Sequence, residues 1–448
     1  MRVFYFISIL LLCLALLTPS SFAQSGPGKA TPIVVADARS AQQLYEEANN
    51  YISKKYEEFN LKKLGFDPKL EAATRQEQRD LAAQLAATLT ARTTLAAKDL
   101  YYLGMLYHLA ENSDGALGSL RRFLTTSTDG EMAQNARAAV VVHTLKKNLL
   151  PEAESTIAQY VQHQPQNDLE RYGMETLVTD AFYKQKDFER MATHAAEMLR
   201  AAKQLASTKG ETFKRDDRLF KSLVSLSEAD RRLGKKSMAV GAVEDVRKFA
   251  LALPSASLYR MATTRLAGID PTADPLKLFE QASASPASAP PEIVAAQWID
   301  QKPSKISELR GRVVLIDFWA TWCGPCRFTF PKLRHWHEQY QDRGLVILGL
   351  THYYGEADGR RVNPKEELSY LREFKKKNHL PYGFAVAPDN VNDLNFGVFS
   401  IPTTFLIDRR GNVRFIALGA SEEQTNALGR MIKKLLEEPA GGADTGTP

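Results

Sequence analysis

The segment that most constrains the fold is residues 313–331, VVLIDFWATWCGPCRFTFP. It begins with four apolar, mostly β-branched residues, Val313–Ile316, a composition typical of a strand buried inside a sheet. Cys323 and Cys326 follow, and Pro325 between them suits the first turn of a helix, where its missing N–H loses no intrahelical bond. The sequence therefore predicts a buried strand that leads into a helix, with both cysteines at the junction.

The position of the two cysteines predicts their chemistry. Backbone N–H groups and the positive end of the helix dipole would point at Cys323 and stabilise its thiolate, which is the nucleophilic form. In thiol–disulfide exchange, Cys323 would attack a partner disulfide, and Cys326 would resolve the mixed disulfide by closing a Cys323–Cys326 bond. We expect Cys323 to be exposed and Cys326, one turn further on, to be shielded.

These residues carry a resemblance to thioredoxin. Asp317–Ala320, Trp322–Cys326 and Pro331 match the active-site block of that family position by position, and Ile401–Thr403 matches its cis-proline loop. The wider region, from Trp298 to Gly419, is similar to the secreted TlpA/ResA-like branch, and the resemblance covers about one third of the chain.

The resemblance implies an α/β thioredoxin fold, a central mixed sheet flanked by helices. It also implies that Cys323 and Cys326 are the redox pair and that Ile401, which precedes the cis-proline, pairs its backbone with an incoming peptide. The substrate-binding residues implied in this way are Trp322, Gly324, Pro325, Ile401, Pro402 and Thr403.

Asp317 is a third candidate catalytic residue. It lies six residues before Cys323 in an otherwise apolar strand, where burial would raise the pKa of its carboxyl group. Such an acid could take the proton from Cys326 through a water molecule. The alternative is that side-chain alternation turns Asp317 towards solvent. Thioredoxin has Asp at the matching position, whereas many TlpA/ResA-like proteins have Asn; Thr329 departs from the Glu that is frequent in that branch.

Four polar or aromatic residues follow the second central strand and could line the same site. Both interpretations remain open for them, because a loop at this position could equally lie on the surface outside the site. These residues are His352, Tyr353, Tyr354 and Glu356.

Local patterns also predict the main elements of this region. Strands are expected at Val313–Phe318 and Leu345–Leu350, and a short strand pair at Trp298–Ile299 and Ile306–Ser307. The remaining predictions are an active-site helix over 325–340, a capped helix over Pro364–Lys377, a hairpin turn at Arg409–Asn412 and a closing helix over Ser421–Leu436.

Residues 1–23 resemble a signal peptide: one Arg, a long apolar run, and Ser21–Ala23 as a small-residue cleavage site. We expect export to the periplasm or another extracytoplasmic compartment; the alternative is a retained membrane anchor. Cleavage would remove Cys13 and leave Cys323 and Cys326 as the mature cysteines. Without further cysteines, a structural disulfide framework and a four-ligand zinc site are not favoured.

No metal, cofactor or nucleic-acid partner is predicted. His335 and His337 are two residues apart on a helix and point to different faces. The formal net charge of +6 is spread along the chain without an arginine-rich arm.

Residues 40–280 are rich in Ala, Leu, Glu, Lys, Arg and Gln and contain few prolines, which predicts an all-α region. Weak repeats of large and small residues resemble a degenerate tetratricopeptide array, in which helix pairs stack on their neighbours. An irregular helical bundle is the alternative. The repeat is clearest at Leu103, Gly104, Tyr107, Ala116, Leu120 and Phe123.

Polar, proline-containing segments mark the remaining boundaries. Residues 281–292, QASASPASAPPE, predict a semi-flexible linker, followed by the thioredoxin-like domain at 293–438. Residues 24–39 are predicted to be a flexible lead-in and residues 439–448 a disordered tail.

Two functions follow from these predictions. The first is an exported thiol–disulfide oxidoreductase that reduces protein disulfides, with electrons from a membrane thiol transporter of the DsbD/CcdA type and cytochrome c maturation as one candidate process. The alternative is a helical-repeat scaffold that binds a protein partner and carries an accessory redox or disulfide-chaperone domain. A thiol peroxidase is not favoured, because the Thr-x-x-Cys pattern of such enzymes is absent from the cysteine motif.

Overall fold

The computed structural model describes residues 37–206, 212–276 and 289–439. The predicted signal peptide, most of the lead-in and linker, and all but the first residue of the predicted tail lie outside the described residues. The chain separates into two compact units, which meet in sequence at Gln185 and Lys186.

The described part of the first unit is entirely helical between residues 37 and 185. Its helices are α1 Ala41–Asn49, α2 Tyr51–Leu61, α3 Pro68–Thr90, α4 Ala97–Leu109, α5 Ser113–Leu124, α6 Glu131–Lys146, α7 Leu150–Gln162 and α8 Asp168–Gln185.

Small residues allow neighbouring helices of this unit to approach closely. A Cβ at Gly104 on α4 would lie 2.5 Å from the side chain of Leu120 on α5, so only glycine fits there. Leu120 and Ala116 are fully buried in the same contact. This alternation of large and small residues is the one seen in the sequence; its assignment to the tetratricopeptide family remains a prediction.

In the residues that the structure describes, the second unit combines four helices with an α/β domain that follows them. The helices are α9 Phe188–Ala206, α10 Thr212–Arg232, α11 Lys236–Ala252 and α12 Ala256–Ile269. The strands are β1 Gln297–Ile299, β2 Val313–Phe318, β3 Leu345–His352, β4 Glu356–Ala357, β5 Arg360–Arg361, β6 Gly383–Ala387, β7 Thr403–Ile407 and β8 Val413–Leu418. The later helices are α13 Gly324–Tyr340, α14 Pro364–Lys377, α15 Val391–Asn395 and α16 Glu422–Glu437.

The main sheet is mixed, with strand order β1-β6-β3-β2-β7-β8. Strand β2 is parallel to β3 and antiparallel to β7, and β3 is parallel to β6. All six residues of β2 are buried, as the apolar run at its start predicts. This is the predicted thioredoxin-like fold. Ile306–Leu309 forms a short 3₁₀ helix rather than the predicted strand.

Helices α9–α12 group with the α/β domain and not with the helices that precede them. Both α11 and α12 contact β8, and the Ala256 N–H at the start of α12 donates to the Phe396 carbonyl at 3.0 Å. The predicted all-α region is therefore divided between the two units, because α11 and α12 pack against the sheet domain and α9 and α10 pack with them. None of the described helices is long and apolar enough to cross a membrane.

Candidate active site

The two cysteines lie where β2 leads into α13, as the sequence predicts. Cys323 is the N-cap residue of α13, and its sulfur accepts the backbone N–H of Cys326 at 3.1 Å. The two residues form a disulfide with a Cα–Cα distance of 5.4 Å. A sulfur in this position faces the N–H groups of the first helical turn, which favour negative charge.

The exposure of Cys323 differs from the prediction. Its side chain is 3% exposed and that of Cys326 is 0% exposed, so both are buried in the disulfide form. The disulfide bond holds the Cys323 sulfur against the buried Cys326, which explains why Cys323 is also buried. The exposed surface of the motif belongs instead to Trp322, which is 53% exposed, and to Gly324 and Pro325.

Asp317 lies inside the domain, on the strand that leads into this motif, and not at its surface. The residue is 1% exposed, and its Oδ1 accepts the Thr404 hydroxyl at 2.9 Å across the β2–β7 pair. Its Oδ2 is buried without a hydrogen-bond partner. Burial raises the pKa of Asp317 to about 7, and the Thr404 hydrogen bond opposes part of that rise. The carboxyl group can therefore exchange a proton near neutral pH.

The cis-proline loop lies at the same end of the sheet as the cysteines. The Ile401–Pro402 bond is cis, and Thr403, the first residue of β7, pairs with Phe318, the last residue of β2. Because β2 and β7 are antiparallel, the segment after Phe318 and the segment before Thr403 leave the sheet at one edge. Ile401 is partly exposed there, whereas Pro402 is buried.

The loop after β3 contacts the active-site motif. The rings of Trp322 and Tyr354 meet edge to face with centroids 5.3 Å apart, and Tyr354 packs on His352 at 3.9 Å. The His352 Nε2 lies 3.9 Å from the carboxylate of Asp393 on α15. Burial raises the pKa values of Tyr354 and Asp393. The structure therefore places Tyr354 beside Trp322, with His352 packed behind it, whereas the two interpretations stay open for Tyr353 and Glu356.

Glu367 on α14 holds this loop in place and was not singled out from the sequence. It is 3% exposed, and its two carboxylate oxygens accept the backbone N–H groups of Tyr354 and Gly355, each at 2.9 Å. A buried glutamate in an otherwise charged helix gives no local sequence signal, because its partners are 12 and 13 residues away.

Helix α12 also reaches the site, which no sequence pattern indicated. The Arg260 Nη2 donates to the Ser400 hydroxyl at 2.6 Å, two residues before the cis-proline. Among the described residues, no group of three or more His, Cys, Asp or Glu side chains is placed to hold a metal ion.

Comparison with known proteins places the α/β domain in a class. Residues 288–416 match the AhpC/TSA family. A 136-residue stretch is 29% identical to the thiol:disulfide interchange protein DsbE of Pseudomonas aeruginosa and covers 30% of this chain and 67% of that protein. The thiol-disulfide oxidoreductase ResA of Geobacillus thermodenitrificans is 26% identical over 145 residues, 32% of this chain and 76% of the relative.

Among solved structures, a thiol:disulfide interchange protein of the thioredoxin family from Chlorobium tepidum TLS is 26% identical, with a TM-score of 0.28. The match covers 35% of this chain and 99% of that one. The fold, the cysteine pair and the sequence relatives define the class: the C-terminal domain is a thioredoxin-like thiol–disulfide oxidoreductase. Its match to the AhpC/TSA family is confined to that domain.

Proposed function

We propose that this protein is exported and reduces protein disulfides through a Cys323/Cys326 dithiol. The observation that carries the proposal is the Cys323–Cys326 disulfide at the N-terminus of α13, which follows the strand that holds the buried Asp317. Export is supported by the signal-peptide pattern of residues 1–23, and reduction by the Gly324-Pro325 dipeptide between the cysteines, which resembles that of reducing thioredoxins.

The reaction proceeds in two exchanges. The Cys323 thiolate attacks one sulfur of the client disulfide, which forms a mixed disulfide and releases the first client thiolate. Cys326 then loses its proton to Asp317 through water and attacks the Cys323 sulfur. The second client thiolate leaves, and the Cys323–Cys326 disulfide remains. The client gains two electrons, and the enzyme disulfide must be reduced again by an external dithiol.

The remaining site residues bind the client in this proposal. An extended client segment pairs with the backbone at Ile401, beside the cis bond to Pro402. This short β-type contact depends little on the sequence of the client. Trp322, which is exposed, offers apolar surface next to the reacting sulfur. Thr403 fixes the loop, since its hydroxyl donates to the Ser400 carbonyl at 2.8 Å.

The redox partners follow from the direction of electron flow. A reductase outside the cytoplasm needs a supply of electrons, for which we propose a membrane thiol transporter of the DsbD/CcdA type. Its clients would be exported proteins with disulfides, of which the cysteine pair of an apocytochrome c is one candidate.

The first unit supports a second, separate function. Residues 37–185 form their own compact set of helices. We propose that this unit binds a protein partner, either the client or a scaffold, as stacked helical repeats do. Reduction of a physiological client at an equal rate by the full chain and by residues 186–439 would show that the first unit does not recruit that client.

The test of the main proposal combines a redox titration with trapping. Glutathione or dithiothreitol buffers should give a reduction potential in the reducing range of thioredoxins, and Cys326→Ser should accumulate mixed disulfides with clients. Cys323→Ser is the matched control and should trap none. An oxidising potential would overturn the reductase direction, and normal turnover by Cys323→Ser would overturn the mechanism. Rapid consumption of hydrogen peroxide would support a peroxidase instead.

A further inference from the structure

A cleft lies beside the cis-proline loop, between that loop and helices α10 and α12. Its volume is about 210 Å³. The helices contribute Phe213 and Met261 among its lining residues, the segment before β7 contributes Gly397 and Phe399, and β7 contributes its first residue, Thr403. The cleft is therefore formed by helices α10 and α12 together with the segment that carries Pro402.

The loop side of the cleft is held in place by the helices. Arg260 bonds Ser400, and the carboxylate of the buried Asp216 on α10 accepts the hydroxyl groups of Ser255 and Ser257 at the start of α12. Gly397 packs against these hydroxyls: a Cβ at this position would lie 2.8 Å from the Ser255 Oγ. The cleft is preformed, so a ligand would not have to order it.

Two exposed aromatic rings flank the opening of the cleft. Phe213 is 67% exposed and Phe399 is 62% exposed, and their rings meet edge to face at 6.5 Å. Large apolar side chains that stay in contact with water and border a cavity are typical of binding surfaces. The lining is mostly apolar, and its size suits one large side chain.

The position of the cleft indicates its occupant. It reaches Thr403, the residue after Pro402, so it adjoins the backbone at which a client segment would pair. Side chains of an extended segment alternate, and every second one would face the enzyme. We propose that this cleft binds a large apolar side chain of the client polypeptide, a few residues from the disulfide-bonded cysteine. The inference rests on the proposed function and extends client recognition to α10 and α12.

A peptide series tests this inference on the full chain. Each peptide carries one cysteine in a disulfide with glutathione, and a single Phe is moved from two to eight residues on either side of it. The matched peptide has Ser in place of Phe. With the reduced enzyme we expect one or two positions at which Phe lowers KM about tenfold relative to Ser, the effect of burying one aromatic ring.

Variants of the cleft should remove this preference. In Phe213→Ala and in Met261→Gln, the ratio of KM values for the Ser and Phe peptides should fall to about one at those positions. Phe66→Ala is the matched control, since Phe66 is an exposed phenylalanine of the first unit and its loss should leave the ratio at the wild-type value. Unfolding curves that overlay the wild type would show that the variants are folded.

The two proposals fail in different ways. If the wild type shows no Phe preference at any position, or if both cleft variants keep it, the cleft does not bind the client. If the wild type reduces neither peptide and also fails to reduce bis(hydroxyethyl) disulfide, the proposed reductase function fails instead.

Discussion

At the residue scale, burial of Asp317 sets the pH at which its carboxyl group ionises. One of its oxygens has the Thr404 hydroxyl and the other has no partner, in a strand that is buried on both faces. An ionised carboxylate is poorly stabilised there, so the protonated form persists up to about pH 7. Tyr382 lies close enough that the Asp317 charge, after burial, raises the pKa of its phenol. The proposed proton transfer to Asp317 would therefore take place at a buried carboxyl group.

The first prediction concerns the pH dependence of the second exchange. Asp317 accepts a proton only when ionised, so the rate at which Cys326 resolves the mixed disulfide should rise with pH through about 7. Asp317→Asn should remove that inflection and slow the step about a hundredfold at pH 7.5, a typical contribution of a positioned base. Single-turnover stopped-flow fluorescence measures the step.

Thr404→Val is the companion variant for this measurement. The Thr404 hydroxyl stabilises the ionised form of Asp317. Its loss should therefore raise the pKa of Asp317 further and move the inflection to higher pH. Alkylation of reduced Cys323 across the same pH range measures the ionisation of that thiol, which can then be distinguished from the ionisation of Asp317. Identical profiles for the wild type and Asp317→Asn would exclude Asp317 as the proton acceptor.

The second prediction concerns stability. Because the pKa of Asp317 is raised from 3.8 to about 7 on folding, the folded chain binds more protons than the unfolded chain between these values. The free energy of unfolding of the oxidised protein should therefore decrease as pH rises from about 4 to about 7. Asp317→Asn has no carboxyl group to ionise, so its free energy of unfolding should not decrease in this way. Its unfolding midpoint should therefore exceed that of the wild type at pH 8. A lower midpoint than the wild type at pH 8 would contradict this account.

At the scale of single elements, a prediction from sequence is correct where the stabilising hydrogen bonds come from neighbouring residues and wrong where they come from distant ones. Helix α14 begins and ends where predicted, because Asn363 caps it by accepting the Lys365 and Glu366 N–H groups. By contrast, the strand predicted at Ile306–Ser307 is a 3₁₀ helix. The N–H groups of both residues donate to the Glu292 carboxylate, a partner 14 and 15 residues away that no local pattern reveals.

The same reasoning applies to the candidate site. The positions of Cys323, Cys326 and Asp317 follow from one continuous segment, and their arrangement could be predicted from the strand-to-helix pattern. The contacts of Tyr354 and Arg260 with the site could not, because they depend on how a distant loop and a distant helix pack. Burial of Asp317 was one of two predicted alternatives, and it is observed because both faces of β2 are covered.

The third prediction concerns the loop after β3. Glu367 accepts two backbone N–H groups there, and a neutral amide in its place can accept only through its one oxygen. Glu367→Gln should lower the free energy of unfolding by about 2 kcal/mol, since hydrogen bonds to a charged group contribute about 1.5–3 kcal/mol each. It should also change the emission of Trp322, whose ring contacts Tyr354 in that loop.

Tryptophan fluorescence is a suitable measurement, because the 4 tryptophans of the chain all lie in the α/β domain. Glu373→Gln is the matched control, as Glu373 is an exposed glutamate on the same helix. Equal unfolding curves for the two variants would show that the loop does not depend on the Glu367 carboxylate.

At the scale of the whole molecule, the helical layer α9–α12 is a structural part of the redox unit. Residues of α10 and of the start of α12 contact the segment before the cis-proline, where Gly397 has φ of +59° and packs against Ser255. The layer therefore supports the loop that would hold the client. Helices in this position could influence turnover without touching the cysteines.

The fourth prediction compares two glycines. Gly397→Ala should destabilise the α/β domain both by left-handed strain, about 1–2 kcal/mol, and by a clash with Ser255. Gly359→Ala carries only the strain, since its φ is +75° and a Cβ there meets nothing within 4 Å. Tryptophan-monitored urea unfolding should give a lower midpoint for Gly397→Ala. Equal midpoints would mean that α12 does not pack on this segment.

Helices α11 and α12 lie in the same compact unit as the sheet and contact its strand β8. Noncovalent contacts therefore join these helices to the sheet, and we expect the two to stay together when the chain is cut between residues 276 and 289. A chain nicked once between them should migrate as a single species in gel filtration and as two bands after denaturation. A circularly permuted gene could likewise exchange the order of the two parts of the chain, provided that the same noncovalent contacts still form between them.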